Sequence, residues 1–99
     1  MQQDQEPTRR PLFSLGDVVI TPGALAAFVA ASAYITPYLA RHQQGLWGDL
    51  DPEDSRANDH AVQVGARLLS AYQLPDTTTI WIITEADRSS TCVLLPNEY

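Results

Sequence analysis

Three times between residues 21 and 52 a capping-type residue stands directly before proline: Thr21-Pro22, Thr36-Pro37 and Asp51-Pro52. A Thr or Asp oxygen satisfies a free amide of a helix's first turn, and proline at the first helical position forfeits no hydrogen bond. The three signals predict three short helices. In the first, Leu25, Phe28, Val29 and Ser32 lie at i, i+3, i+4 and i+7, which places three apolar side chains on one face. The second carries Tyr38, Leu39 and His42, and Gly45 is suited to close it. The third carries Ala57, Ala61, Val62 and Val64 and ends near Gly65. Its first turn holds Glu53 and Asp54, which complement the helix dipole.

The period then changes from that of a helix to that of a strand. Residues 67–74 read as a strand and 75–78, Pro-Asp-Thr-Thr, as a turn. Residues 79–84 give the strongest strand signal, with five β-branched residues and Trp81. Residues 85–89 read as a second turn, and 90–95 as a closing strand that Pro96 ends. Two short connections in succession imply an antiparallel three-stranded meander. Near the N-terminus, 12–20 reads as one bent edge strand, and 1–10 as a flexible polar arm. The expected fold is a single α+β domain over 11–99 with element order β-α-α-α-β-β-β. Its small antiparallel sheet combines the meander with the N-terminal strand, and two to three helices pack on one face.

Charge narrows the range of partners. Twelve Asp and Glu face six Arg, there is no Lys, and the net charge is −6. Direct binding to nucleic acid relies on cationic groups that displace counterions, and binding to anionic membrane surfaces needs the same sign. Neither is expected. The balance suits a basic protein or nucleoprotein complex, while a soluble surface alone also accounts for it. The lone Cys92 rules out an intramolecular disulfide and a cysteine-based zinc site, in keeping with a reducing cytoplasm. Residues 1–11 lack the apolar core of a secretory signal, and the apolar run 24–35 is too short to cross a bilayer.

Candidate functional residues group in two places. Asp49, Asp51, Glu53, Asp54 and Asp59 bring five of the twelve acids within eleven residues, with Trp47 beside them. Alternate acids at 49, 51 and 53 suggest a calcium loop, but Asp54 occupies the position that needs glycine, Pro52 stiffens the loop, and His60 stands where the closing Glu belongs. Helix-start chemistry explains Asp51, Glu53 and Asp54 without a ligand. A docking patch with Trp47 as aromatic anchor explains the whole group. Glu85, Asp87 and Arg88 form the second group, at a hairpin tip where a rigid sheet presents a loop. His42 and His60 lack metal-ligand spacing and are expected at surface or half-buried positions. Cys92 lies mid-strand, where an inert thiol is the ordinary outcome. No catalytic residue, cofactor or metal ligand is assigned. The alternatives are a small hydrolase using Glu85, Asp87 or His60 as base, and a homodimer formed through a free strand edge.

Three strings carry a resemblance. They are Trp47-Gly48-Asp49 followed by Asp51, Asp54, Asn58 and Asp59; Leu68-Leu69-Ser70-Ala71-Tyr72; and Trp81-Ile82-Ile83-Thr84-Glu85-Ala86-Asp87-Arg88-Ser89-Ser90-Thr91, continuing to Leu94-Leu95-Pro96-Asn97-Glu98-Tyr99. Over about residues 12–99 the chain resembles a family of small bacterial proteins carried on plasmids and integrative elements. Some members bear the label of a type I restriction modification subunit. A methyltransferase needs a cofactor-binding doubly wound sheet and a base-flipping pocket, which 99 residues ending in a meander do not hold. The resemblance implies a setting, mobile DNA in a bacterial cytoplasm. With the acidity, it leads to the expectation of a non-enzymatic protein that obstructs or modulates a host CRISPR or restriction complex, or else of a homodimeric regulatory, antitoxin-like subunit. The turn 75–78 departs from the family pattern by lacking Asp-Gly, which leaves the register of the first two meander strands open.

Overall fold

The computed structural model describes residues 10–99. The expected polar arm lies outside these residues apart from Arg10, which is exposed. Strand β1 is Asp17–Ile20; helices α1, α2 and α3 are Pro22–Ala30, Thr36–Gln43 and Pro52–Val64; strands β2, β3 and β4 are Leu68–Gln73, Thr79–Thr84 and Ser90–Leu94. A short 3-10 turn, Pro96–Glu98, follows. The order β-α-α-α-β-β-β is the one the sequence implies.

Cap chemistry explains most of the helix boundaries. Thr21 accepts the Ala24 amide at 3.1 Å. Asp51 accepts the Asp54 amide at 2.8 Å. Gly65 ends α3 in the left-handed conformation. Thr36 differs: it is the first residue of α2, and Ile35 occupies the cap position without a side-chain bond.

The sheet order is β1-β4-β3-β2. β2, β3 and β4 form the antiparallel meander, in register Leu68↔Thr84 and Thr84↔Thr91. β1 pairs with β4 in parallel, Asp17 with Ser90 through Ile20 with Val93, so the sheet is mixed. Hairpins force antiparallel neighbours, whereas a strand that returns only after three helices is free to join in either direction. The strand expected from residue 12 begins at Asp17. Gly16, just before it, has φ 64° and lies so close to the second hairpin that any Cβ would collide with the carbonyls of Arg88 and Ser89.

Period-two alternation puts Leu68, Ser70, Tyr72, Ile80, Ile82, Thr84, Thr91 and Val93 on the helix-covered face. All are buried. Phe28 and Tyr38 meet edge to face at 5.6 Å, as do Tyr38 and Tyr72 at the same separation, linking α1 and α2 to β2. α1 does not bury the face its larger residues suggest. Ala24 and Phe28 are its buried residues, with Ala27 and Ala31 packed beside them, while Leu25 and Val29 are exposed. Both stripes have helical spacing, and alanine lets a helix lie closer to the sheet than leucine does.

The β2–β3 turn forms without Asp-Gly. Asp76 accepts the Thr78 amide at 3.1 Å, and Thr77 takes φ 72°. That conformation crowds a β-branched side chain. Thr77→Gly is expected to raise stability by about 0.5–1 kcal/mol, the relief of strain exceeding the added chain entropy. A denaturant midpoint equal to or below that of the parent refutes it.

Candidate functional site

The segment before α3 is built against the edge of the sheet. β2 is an edge strand, and exposed edges invite unwanted pairing. Here the edge is closed from two sides. Asp49 N–H donates to the Ala71 carbonyl at 2.7 Å, and Ala71 N–H donates to the Trp47 carbonyl at 3.1 Å, making Gly48 and Ala71 a parallel bridge. Two residues away, the Asn58 side-chain amide donates to the Leu69 carbonyl at 2.7 Å and accepts the Leu69 N–H at 3.3 Å. Asn58 thus serves Leu69 as a neighbouring strand would. Gly48, at φ 83°, lies so near the Ala71 carbonyl that a Cβ has no room.

This arrangement corrects the expected role of Trp47. Its ring is only 4% exposed, stacks with Phe13 at 6.2 Å and meets His42 edge-on at 5.7 Å. Its indole N–H donates to Asp59 at 2.9 Å. Trp47 is a core residue beneath the acidic segment, not an exposed anchor, because the bridge at Gly48 turns the preceding side chain inward. Asp59 is committed to it.

The remaining acids divide by task. Asp51 caps α3, whereas Asp49, Glu53 and Asp54 are exposed, and no hydrogen bond engages their carboxylates among the described residues. The one ion pair found among those residues, Arg67–Glu85 at 3.7 Å, lies elsewhere. Asp49 borders an open cleft of about 370 Å³ with Arg41, Leu46, Tyr72 and Gln73. Asp54 borders a second of about 280 Å³ with Leu50, Ala57, Asn58 and Leu69. No cluster of three metal-ligating side chains occurs among the described residues.

At the β3–β4 hairpin, Glu85 and Asp87 face solvent. Asp87 accepts the Ser89 amide at 3.0 Å, and hydrogen bonds from Ser89 hold its carboxyl below the usual range, which keeps it ionised. Arg88, expected at the exposed tip with them, is turned inward. Its guanidinium donates to the carbonyls of Ala66 at 2.6 Å, Glu85 at 3.0 Å and Ala61 at 3.1 Å, and lies over Phe13 at 5.5 Å. A cation there complements the C-terminal end of α3. The residue pins the hairpin to the helix, its guanidinium engaged by main-chain acceptors.

His42 is the feature that sequence spacing misses. Expected at a surface or half-buried position, it is fully buried at the centre of a polar chain. Its Nδ1 is 2.6 Å from Ser70 Oγ and its Nε2 is 2.8 Å from Thr84 Oγ1. Thr84 Oγ1 is 2.7 Å from Thr91 Oγ1, and Thr91 donates to the Leu15 carbonyl at 2.7 Å. The directions follow from the last link. A carbonyl only accepts, so Thr91 spends its proton on Leu15, and Thr84 must donate to Thr91. Thr84 then accepts from His42 Nε2–H, which leaves Nδ1 to accept from Ser70. The imidazole is neutral and both nitrogens are engaged. Burial, reinforced by the charge of Arg88, lowers its pKa to about 4. The sequence signal was the pattern of Ser70, Thr84 and Thr91 at inward strand positions, polar residues that need an internal partner. His60 is exposed on α3, and neither it, Glu85 nor Asp87 borders either cleft. Cys92 is half-buried, with its thiol pushed up chiefly by burial.

No helix of the described residues is long and apolar enough to cross a membrane. Comparison with protein-family models, with curated proteins and with solved structures finds no match to this chain.

The buried imidazole makes stability depend on pH. Its pKa falls from 6.5 in the unfolded chain to about 4 in the fold, so below pH 6.5 the unfolded chain takes up the proton first. The contribution is complete above that pH and declines as the pH falls toward 4, by roughly 3 kcal/mol in all. His42→Gln, though less stable at neutral pH, is expected to show a flatter stability profile in this window. Urea midpoints measured across it check the point, and an unchanged slope in the variant refutes it.

Proposed function

We propose that this chain is a non-enzymatic binding protein that docks the acidic start of α3 onto a basic, nucleic-acid-binding partner. The observation that carries this reading is the free presentation of Asp49, Glu53 and Asp54. They project from a segment fixed to the sheet edge at Gly48 and Asn58, and Asp49 and Asp54 rim the two clefts. Rigid, unpaired carboxylates lose little on meeting cations, and a net charge of −6 speeds their encounter with a positive surface. The resemblance to plasmid- and integrative-element-borne proteins favours a CRISPR or restriction complex as the partner class, and inhibition or modulation of it as the outcome. Glu85 and Asp87 extend the acidic character at the hairpin tip; the bonds of Trp47, Asp51, Asp59 and Arg88 hold the frame that carries the free acids.

The structure refines which residues test the idea. Asp51 and Asp59 hold the fold, so the informative variant is Asp49→Asn, Glu53→Gln, Asp54→Asn. Capture of basic nucleic-acid-binding proteins from a bacterial host is expected at low salt, to fall at high salt, and to drop about tenfold or more for the triple variant. Equal capture by the variant, or no basic partner at low salt, removes the proposal.

A further inference from the structure

The opposite edge of the sheet is open. β1 has β4 on one side and, among the described residues, no strand on the other. The amides of Asp17 and Thr21 donate to the carbonyls of Ser89 and Val93, each at 3.0 Å. In a parallel pair alternate residues direct both main-chain groups to the same neighbour, so Asp17, Val19 and Thr21 face β4 while Val18 and Ile20 face outward. Val18 is 45% exposed and Val19 52%. Neither device that closes the β2 edge, a bridging loop or a side-chain amide, is present along this one among the described residues.

The surface beside this edge also comes from the longest uncharged stretch of the chain. No ionisable acid or base with a charge at neutral pH occurs between Asp17 and Arg41. α1 follows β1 after a single residue and turns Leu25 and Val29 outward, and Tyr34 beyond it is 83% exposed. A basic partner gains nothing from such a face. Two molecules of charge −6 repel one another, and residues 18–40 add no charge of their own to that repulsion.

We infer that β1 pairs with β1 of a second copy of this chain, antiparallel about a two-fold axis through Val19. The register is self-complementary. Val18 of each copy faces Ile20 of the other as a hydrogen-bonded pair, giving four main-chain bonds, and the two Val19 residues meet as the central non-hydrogen-bonded pair. Val18 and Ile20 lie on the helix-covered side of the sheet, in register with Thr91 and Val93. The helices of both copies therefore stand on one side of a continuous sheet formed from two four-stranded ones. Asp17 falls opposite the second copy's Thr21. That threonine hydroxyl donates to Glu98, so carboxylates approach at each end of the seam and salt strengthens the pair. Docking of the acidic segment has the opposite salt dependence, which separates the two ideas.

Sedimentation equilibrium at low and high salt tests the dimer. A dimer that tightens with salt is expected, with Val19→Lys weakening it about tenfold or more while circular dichroism shows the fold retained. Cross-linking tests the axis. Because Val19 neighbours Cys92, the variant is Val19→Cys in a Cys92→Ser background. It should form an intermolecular disulfide under mild oxidation, and Val18→Cys in the same background should not, since its opposite residue is Ile20. A monomer at every concentration and salt, a dimer that cross-links through position 18 instead of 19, or a dimer lost in the Asp49, Glu53, Asp54 triple variant overturns the inference.

Discussion

The hydrogen-bonded chain through His42 joins more of the molecule than any other interaction. It begins on β2 at Ser70, crosses α2, passes through β3 and β4 at Thr84 and Thr91, and ends on the Leu15 carbonyl just before β1. A buried polar group without a partner costs about 1–3 kcal/mol, so each link depends on its neighbours being present. Removing one hydroxyl orphans the next atom in the line. The chain runs in one direction only, which fixes the histidine tautomer.

Around this line the fold sorts its charges by burial. Arg88 sits at the end of α3 with three carbonyl acceptors and the Phe13 ring, and its field adds to the reasons the nearby imidazole stays neutral. Phe13, His42 and Trp47 pack as a trio below it. The acidic segment outside rests on that trio. Its carboxylates are presented on a fixed frame because the tryptophan beneath them is fully spent on packing.

Local chemistry was readable wherever it was self-contained. Thr21, Asp51 and Gly65 announce helix ends through their own oxygen atoms or conformational freedom, and Ile80, Ile82 and Ile83 announce a strand through side-chain shape. What was not readable depended on distant residues. The direction of β1 is set by a strand near the other end of the chain. Trp47 looks like an anchor until a bridge to Ala71 turns it inward, and α1 offers two apolar stripes between which only the sheet chooses. Arg88 in a hairpin and His42 in a short helix carry no mark of the carbonyls and hydroxyls waiting for them. The acidic group is the converse case: its position at a helix start was plain, and the division between the engaged Asp51 and Asp59 and the free carboxylates of Asp49, Glu53 and Asp54 emerged only with the fold.

The parallel pairing of β1 with β4 has a consequence for the order in which the molecule is made. Leu15 and Thr91 are separated by 76 positions. β1 must therefore wait for β4, and contacts of such separation form slowly. During synthesis the uncharged segment that follows Asp17 leaves the ribosome long before the meander exists to receive it. Both edges of β1 are open through that interval, and α1 has no sheet to lie on. The nascent chain thus displays this uncharged, apolar segment before the strands that cover it exist, the stage at which unpaired strand edges are most prone to association.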